Sequence, residues 1–587
     1  MRAGVFLIAA VTSTAIGFAQ APGGGPAGRG SAPQAPAQAI TVPARGSASV
    51  RVPAWRRLRT AVGSLLGWQV GVSLGTFRPD TFVDAVRKAE ALDLAAVEGD
   101  STQQVSPQIP KPLDYRLAPG EIDFVNQWLS ELNVRMPVYV TSEISEDEAI
   151  GRRQFEFAKR LSVETIAVET MPKSLPAVEK LAEEFGVNVA LAGNPTTLVN
   201  AVEGRGRRIG VYADIGKWMQ GISSAEAVTQ FKERLFAVRL GDRNGIVKLA
   251  PVITGIYKHG LKPSLITVTV SGAPAAAELN RSLEAFERTV QSIVVERVAE
   301  MSRGIPIKRA DRLTPEEREK VTAAIPRKPA ATPKSSRRLL IYDANIGYGG
   351  ANGGHRSIPA ANMAIELFAK TTGAYEPVFS NDLDNFRYER LKKFDAVFLN
   401  NTVGQIFVDP EIRAGLSRFV REGGGLAGYH GTSHASMDWP EFAEILGAVE
   451  GSHREPTEIA TVRIDDPTSP LMRAFGGKPF VHQDEFYRFV EPPLSRDKVH
   501  VLMSIDIEKT DLSQGRGCAR PCVRPDGDYA LSWIHNYGKG RVFFTALGHT
   551  PAFFASPDLN DFFFRGVQFV LGDLEADATP SAKVSRR

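Results

Sequence analysis

The sequence predicts an α/β protein of two domains, a (β/α)8 barrel followed by a doubly wound α/β sheet. Short β-branched runs alternate with amphipathic segments through residues 65–300. A Pro/Ala/Lys-rich stretch, IPRKPAATPKSS, follows at residues 325–336 and has the composition of a linker. A second alternation of strand-like and helical segments then runs through residues 338–572. At 587 residues the chain is also too long for a single hydrophobic core.

Eight strand-like runs lie in the N-terminal half, and a helical pattern separates most of them. The first run, WQVGVSL, is followed by the helical segment PDTFVDAVRKAEAL. Eight strand–helix units match the element count of a (β/α)8 barrel, in which functional groups lie at the carboxyl ends of the strands. The predicted strands are residues 68–74, 95–98, 135–140, 165–169, 187–191, 208–214, 235–240 and 265–270.

The C-terminal half begins with the strand RLLIYDAN and a glycine-rich turn, and a helix follows near Pro359. The strand DAVFLNN precedes a helix over residues 410–422, and the strand GGGLAGYHG precedes the helix PEFAEILG. Later runs such as RVFFTALGH (541–549) add strands, which predicts a doubly wound sheet with antiparallel additions. Ligands of such sheets bind beyond the carboxyl ends of the strands.

The first residues predict export. Arg2 precedes an apolar run from Val5 to Phe18 that ends in Ala-Gln-Ala, which is the order of a cleaved secretory signal peptide. We therefore expect a periplasmic or secreted protein. The predicted segments are the signal peptide (1–21), a disordered Pro/Gly/Ala-rich tether (22–60), the barrel (61–300), a helical and Pro-rich linker (301–336), the second domain (337–573) and a disordered tail (574–587).

Composition argues against two classes of partner. The net charge of +4, from 70 basic and 66 acidic residues, gives no indication of nucleic-acid binding. No stretch after the signal peptide approaches the roughly 20 apolar residues of a membrane span, so stable membrane insertion is not expected. Cys518 and Cys522 stand in CARPC, and in an oxidising compartment they are interpreted as a local disulfide. Free thiols and a metal-binding pair are the alternatives.

Histidine is concentrated in the second half of the chain. Of nine histidines only His259 precedes the linker. Imidazole is the side chain best suited to proton transfer near neutral pH and to metal binding, so the second half is the candidate site. Two of its histidines, His500 and His535, stand in strand-like segments and are interpreted as packing residues. Four others follow strand-like runs or glycine turns, namely His355, His430, His434 and His549.

Six ordered blocks carry a family resemblance: GGHRSIPAA, FDAVFLNNTVG, FVREGGGLAGYHG, EFAEILGAVEGSH, DEFYRF and YGKGRVFFTALGH. Over residues 337–573 they resemble the ThuA-like (trehalose utilisation) domain family. The resemblance implies a flavodoxin/amidotransferase-like sheet, similar to that of class I glutamine amidotransferases, and a role in sugar metabolism. Those amidotransferases carry a cysteine nucleophile in a Gly-x-Cys-x-Gly turn. The corresponding turn here is Gly-Tyr-His-Gly-Thr (428–432), so glutaminase activity is excluded.

The C-terminal site is expected to combine histidines with carboxylates, because such sets perform acid–base chemistry on sugar hydroxyl groups. The predicted catalytic residues are His430, Asp484, Glu485 and His355. The predicted substrate-binding residues are Tyr429, His434, His453, Tyr487 and His549. A divalent metal binds the same ligand types, which makes His355, His430 and His453 candidate ligands. No other cofactor is expected.

The barrel resembles the xylose-isomerase-like (sugar phosphate isomerase/epimerase) family through IAVET, GVYADIGKWMQGI and FAVRLGD. The resemblance implies that Glu169 and Asp214 match two metal-binding carboxylates of the family, whereas Lys217 and Arg239 stand where the family has histidines. Cations at these positions oppose metal binding. The barrel is therefore expected to lack a metal and the isomerase reaction, and to keep a charged sugar-binding cavity. That cavity is predicted to be lined by Glu169, Asp214, Lys217, Arg239 and Asp242.

Two hypotheses about function follow. In the first, an exported enzyme of isomerase, hydrolase or lyase type acts on a sugar or keto-sugar through the ThuA-like domain. In the second, the protein is a non-catalytic carbohydrate-binding or scaffold protein. Both hypotheses expect a small carbohydrate as the partner, and both leave the oligomeric state open.

Overall fold

The computed structural model describes most of the chain from residue 65 onward. The predicted signal peptide, the predicted tether, Asp242, Cys518 and Cys522 lie outside the described residues. The described residues are 65–92, 94–218, 224–241, 250–270, 275–347, 353–448, 452–454, 457–489, 494–512, 524 and 526–584.

Eight parallel strands close into a barrel in the N-terminal half, which confirms the predicted (β/α)8 barrel. Each strand pairs with the next along the chain, and β8 pairs with β1. The strands are β1 Val70–Ser73, β2 Ala96–Asp100, β3 Arg135–Thr141, β4 Thr165–Val168, β5 Asn188–Leu191, β6 Ile209–Asp214, β7 Leu235–Leu240 and β8 Leu265–Val268. The helices are α1 Phe82–Ala91, α2 Pro119–Glu131, α3 Glu148–Arg160, α4 Leu175–Phe185, α5 Pro195–Val202, α6 Ile215–Trp218, α7 Ser224–Gln230, α8 Ala250–Lys258 and α9 Ala275–Gly304.

Small side chains dominate a buried cluster of the barrel. Alanine occupies four of its positions, which leaves room for the large ring of Tyr212. The other aliphatic members include Val138, Val140 and Leu265. A hydrophobic run without strict alternation is the sequence pattern of strands buried on both faces, which is why the eight strands were predictable.

The C-terminal half contains a nine-stranded mixed sheet, which confirms the predicted doubly wound domain with antiparallel additions. The strand order is β10-β9-β11-β12-β19-β18-β17-β14-β15, parallel from β10 to β19 and antiparallel beyond it. The strands are β9 Arg338–Tyr342, β10 Glu376–Phe379, β11 Ala396–Leu399, β12 Gly425–Tyr429, β14 Glu458–Ile464, β15 Phe480–Asp484, β17 His500–Ile505, β18 Ala530–Tyr537 and β19 Gly540–Thr545. A separate ribbon pairs β13 Ser452–His453 with β16 Tyr487–Arg488.

Helices flank this sheet, and a further helix belongs to the connection between the two domains. The connecting helix is α10, Pro315–Ala324. Its N-terminus is closed by a capping box, in which the Thr314 hydroxyl accepts from the Glu317 amide and the Glu317 carboxylate accepts from the Thr314 amide. The helices of the domain itself are α11 Ile358–Thr372, α12 Tyr388–Leu391, α13 Pro410–Glu422, α14 Pro440–Leu446 and α15 Pro557–Val570.

The segments predicted as linker and tail contact the second domain. In the linker, the Ala330 amide donates to Gln568 Oε1 at 2.7 Å. In the predicted disordered tail, the Ser581 amide donates to the carbonyl of Val499 at 3.0 Å. The Val501 amide donates back to Ser581 Oγ at 2.8 Å. The linker and the disordered tail were predicted from amino-acid composition, and composition does not indicate such backbone hydrogen bonds. Among the described residues, no helix has the length and apolar character needed to cross a membrane.

Candidate functional site

His430 begins the site, directly after the buried strand β12. Its backbone has φ 45°, a left-handed conformation that is strained for a non-glycine residue. A short 3-10 helix, His430–His434, follows at once. The amide of Gly431 donates to Asn401 Oδ1 at 2.7 Å and so anchors the turn to the end of β11. This strand–turn–helix geometry projects the His430 ring beyond the carboxyl end of the sheet.

His549 reaches the same point from the neighbouring strand β19. Gly548, with φ 112°, provides the sharp turn that precedes it. The buried carboxylate of Asp484 accepts from the Gly548 amide at 2.7 Å and from the His549 amide at 3.1 Å. Asp484 also contacts His482 Nε2 at 3.3 Å. Burial raises the pKa of Asp484, but these contacts outweigh burial and lower it overall. Asp484 therefore holds the loop of His549 in position as a carboxylate.

Glu485 connects the histidines. Its Oε2 lies 3.3 Å from His430 Nε2 and 3.2 Å from His549 Nδ1. Its Oε1 lies 3.0 Å from His453 Nδ1. The carboxylate is only 7% exposed, and burial by itself raises its pKa. The contacts with His430, His453 and His549 outweigh that effect and hold the pKa of Glu485 far below its ordinary value. Glu485 is thus an anion at the centre of three imidazoles.

His355 closes the cluster from the loop before α11. Its ring centroid lies 4.8 Å from that of His430 and 4.9 Å from that of His549. Burial, followed by the neighbouring His430 and His549, lowers the pKa of His355 well below its ordinary value, so the imidazole is neutral. One ligand atom from each of His355, His430, Glu485 and His549 lies within 4.8 Å of all the others. Hereafter these four residues are called the His/Glu cluster.

The ring of His430 has a defined tautomer. Its Nδ1 lies 2.8 Å from the carbonyl oxygen of Ala546, which can only accept, so Nδ1 carries a hydrogen. In the neutral ring Nε2 then presents a lone pair to His549 Nδ1, at 3.1 Å, and to the Glu485 carboxylate. A backbone hydrogen bond of this kind is the usual outer contact of a metal-binding histidine.

The spacing of the three innermost atoms fits a metal ion. His430 Nε2, His549 Nδ1 and Glu485 Oε2 are separated by 3.1, 3.2 and 3.3 Å. Ligands about 2.0 Å from a tetrahedral ion lie about 3.3 Å from one another. A cation would be favourable to all three atoms, because imidazole nitrogens and a carboxylate oxygen are the donors that such an ion binds. The residues present therefore fit a divalent ion such as Zn²⁺ or Mn²⁺.

Tyr487 supports the cluster from one side. Its ring stacks on His430 with a centroid distance of 4.4 Å and an interplanar angle of 22°. The rings of His434 and His453 lie 5.5 and 5.6 Å from the same tyrosine. The β13–β16 ribbon creates this arrangement, because His453 and Tyr487 are paired in its register. The side chain of His453 is 42% exposed, so it forms the outer rim of the site.

Three predicted site residues have positions that differ from their predicted roles. Tyr429, predicted to bind substrate, is fully buried, and its hydroxyl donates to Asn400 Oδ1 at 3.0 Å. Its ring packs between Phe398 and Phe563, so it belongs to the core beneath the site. Asp484, predicted to be catalytic, accepts hydrogen bonds from the backbone amides of Gly548 and His549. His453, predicted as a metal ligand, contacts Glu485 but is not one of the four clustered ligands; His549 takes that place.

The barrel residues form a separate charged group. The Arg239 guanidinium donates to the buried Glu98, and its Nη1 lies 3.9 Å from Asp214 Oδ2. Tyr212 donates its hydroxyl to Glu98 Oε2 at 2.8 Å. Lys217 is 72% exposed and lies 3.4 Å from Asp214 Oδ2. Glu169 is exposed just after β4. Arg239 and Asp214 thus come together, with Lys217 at the solvent side.

Glu98 is the barrel residue that sequence reasoning missed. It belongs to β2 and is completely buried, and Thr267 of the adjoining strand β8 contacts it at 3.2 Å. A single glutamate inside the strand-like run AAVEGD was the available signal, because a carboxylate in a buried strand requires a partner. In the C-terminal half, the glycine-turn position of His549 was the corresponding signal for a metal ligand.

Comparison with known proteins gives a family match for the C-terminal domain and solved structures of low similarity. The family model described as ThuA, trehalose utilisation, matches residues 343–570, so the C-terminal domain is ThuA-like. A thua-like protein of Bacteroides uniformis is 21% identical, with a TM-score of 0.34, over 43% of this chain and 99% of its own. A sugar phosphate isomerase/epimerase of Parabacteroides distasonis is 9% identical, with a TM-score of 0.32, over 39% of this chain and 95% of its own. A xylose isomerase domain protein of Planctomyces limnophilus is 12% identical, with a TM-score of 0.28, over 40% and 98%. No curated protein matches the chain.

Proposed function

We propose that this protein, whose C-terminal domain is ThuA-like, is a carbohydrate-processing enzyme. Its reaction takes place at a divalent metal held by the His/Glu cluster. The observation that carries the proposal is the convergence of four ligating side chains at the carboxyl edge of the sheet, within 4.8 Å of one another. Four widely separated segments of the chain contribute these residues. The carbohydrate class of substrate is supported by the family match over residues 343–570.

The metal, when bound, would polarise a hydroxyl or carbonyl oxygen of the sugar. The protein's own residues supply the proton transfer. His453 lies at the solvent-exposed rim and is hydrogen-bonded to Glu485 Oε1 at 3.0 Å. This pair is suited to taking a proton from a sugar hydroxyl, or from the carbon beside a keto group, and to returning it. Tyr487 restricts the mobility of the imidazoles, since three of them pack around its ring.

In this proposal the barrel has no metal of its own. The Arg239 guanidinium, hydrogen-bonded to Glu98 and near Asp214, supplies these two carboxylates with the positive charge that a metal ion would otherwise bring. The barrel then serves as a sugar-binding or structural platform. Export to the periplasm or the medium is proposed as well, on the order of residues in the first 21 positions.

The first measurement is metal content. The purified protein, incubated with Zn²⁺, Mn²⁺ or Co²⁺ and then desalted, should retain one ion per chain by mass spectrometry. His549→Ala and Glu485→Gln should each lose it, whereas His259→Ala, at an exposed position in the barrel, should retain it. Binding by wild type and both cluster variants alike would contradict the proposed site.

The second measurement is turnover. The metal-loaded protein is incubated with disaccharides and their 3-keto forms, and products are followed by chromatography. Turnover that is lost in His430→Ala supports the enzyme. A saturable sugar complex without turnover would instead favour the carbohydrate-binding alternative.

A further inference from the structure

A cavity of about 530 Å³ lies beside the His/Glu cluster, and the connection between the domains forms one of its walls. Helix α10 contributes Glu317 and Lys320 to this wall. The turn that follows His549 also lines the cavity, through Thr550, Pro551, Ala552 and Ala555. The volume is within the range of small-molecule sites.

The wall formed by α10 is attached to the domain. The Arg356 guanidinium donates to both carboxylate oxygens of Glu317, at 2.9 and 3.2 Å. Val321, one turn further along α10, is fully buried. Arg356 also lines the cavity and directly follows His355 in the chain. The charged wall therefore has a defined position relative to the cluster.

The surface of this cavity has two chemical parts. Pro551, Ala552 and Ala555 are apolar and small, which suits the C–H face of a sugar ring. The Glu317–Arg356 pair offers carboxylate acceptors and guanidinium donors, which suits neighbouring hydroxyl groups. Lys320 adds a further donor. A pyranose ring likewise has hydroxyl groups at its edge and C–H groups on its faces.

His549 belongs both to this cavity and to the His/Glu cluster. It lines the cavity, and its Nδ1 lies 3.2 Å from Glu485 Oε2 inside the cluster. A molecule that fills the cavity would thus extend directly to the cluster, with one part at the reacting centre and a second part against α10.

We propose that this cavity binds the second sugar ring of a disaccharide or glycoside, and that the connecting helix α10 selects substrates of this size over monosaccharides. The inference depends on the proposed function, because the first ring is placed at the His/Glu cluster. In this proposal the segment that connects the two domains also takes part in substrate recognition.

Sugar binding by the full metal-loaded protein tests the proposal. The probes are trehalose, maltose and sucrose, with methyl α-D-glucopyranoside as the single-ring comparison, measured by titration calorimetry. Wild type should bind at least one disaccharide about tenfold more tightly than the single ring, as expected for one additional charge-assisted hydrogen bond. Equal affinity for both sizes of sugar, or no disaccharide binding, would overturn the proposal.

Two variants test whether the preference for disaccharides arises in this cavity. Ala552→Trp fills the cavity from an exposed position and should abolish the preference for the disaccharide while leaving single-ring binding intact. Glu317→Gln retains the capping geometry and should weaken disaccharide binding about tenfold. The matched control Glu319→Gln, an exposed residue of the same helix that does not line the cavity, should bind like wild type. Unchanged disaccharide affinity in both cavity variants would overturn the proposal.

Metal content separates this inference from the proposed function. All three variants should keep one ion per chain, because none of them changes the cluster. A protein that retains its metal but shows no size preference would refute the subsite alone. A protein that binds no metal would refute the proposed centre.

Discussion

At the scale of single residues, the site depends on side chains whose positions are set by backbone contacts. His430 is held in a left-handed conformation at the end of β12, and its Nδ1 is engaged by the Ala546 carbonyl. His549 is held through its own amide, which donates to Asp484. Both imidazoles are consequently oriented before any ligand arrives, which reduces the ordering cost of binding.

Asp484 is a positioning residue whose removal we expect to weaken the proposed metal site. In Asp484→Asn, one carboxylate oxygen that accepts backbone amides is replaced by an amide group, so the loop carrying His549 loses a contact. Metal affinity should fall about 10–100-fold, the usual effect of an outer contact. Competition with a chromophoric chelator measures it. Asp466→Asn, which alters a separate aspartate–histidine pair at His500, should leave metal affinity unchanged.

His535 should make stability dependent on pH. Burial, only partly opposed by its backbone hydrogen bond to Ile445, lowers the pKa of His535 to about 4. The unfolded state, with a pKa near 6.5, then binds more protons below neutrality, so stability falls as the pH drops through 6.5 toward 4. Between pH 7 and pH 5 the contribution is about 2 kcal/mol.

Urea unfolding of wild type and His535→Gln at the two pH values measures this contribution. Gln can still donate to the Ile445 carbonyl but does not titrate. The variant should lose less stability than wild type on acidification. An identical loss in both proteins would show that His535 is not responsible.

At the scale of elements, the barrel contains a buried ion pair joining β2 to β7. Glu98 has no exposed surface, and its partners are Arg239, Tyr212 and Thr267. Burial lowers the pKa of Arg239, but the adjacent Glu98 outweighs it and raises the pKa overall, so the guanidinium stays charged. The cost of burying the Glu98 carboxylate is offset only while the Arg239 cation is present.

Removing one partner should therefore cost more than removing both. Arg239→Met leaves Glu98 buried without its cation and should lower the free energy of unfolding by about 3–5 kcal/mol. The double variant Glu98→Gln/Arg239→Met should recover most of that loss. Lys217→Met, at the exposed end of the same charged group, should change little. Guanidinium unfolding of the four proteins gives the comparison, and a double variant at least as destabilised as Arg239→Met would argue against the pairing.

At the scale of the whole molecule, the connection is attached to the C-terminal domain through a buried polar network. Asp343, at the end of β9, accepts from the Lys308 amide at 2.8 Å. It also accepts from Asn362 and Asn381, at 2.7 and 2.8 Å. The last barrel helix reaches the same region, since Ser302 Oγ donates to the Asn381 carbonyl at 2.7 Å. The two domains are thus joined by specific contacts.

We expect Asp343→Ala to destabilise this junction by about 3 kcal/mol, because three buried donors lose their acceptor. Trypsin should then cleave the variant more rapidly near Lys308, as the connection opens locally. Mass spectrometry of the fragments identifies the cut. Asp311→Ala, an exposed residue of the same connection, serves as the control and should be cleaved at the wild-type rate.

The sequence by itself determined the two folds and the position of His430. Local patterns sufficed for these features, because buried parallel strands and a strand–glycine–turn–helix sequence involve residues that are adjacent in the chain. The same patterns carried the resemblance that the family match bears out over residues 343–570.

Only the tertiary structure decided which side chains meet. Glu485 follows β15 at one edge of the sheet, whereas His430 and His549 follow the central strands β12 and β19. Their contact arises from the path of the chain after β15 and from the β13–β16 ribbon. Likewise, Glu98 finds Arg239 only when the barrel closes, and α10 becomes a wall of the site only by packing on the second domain. Such contacts depend on long-range packing, which spacing along the chain does not record.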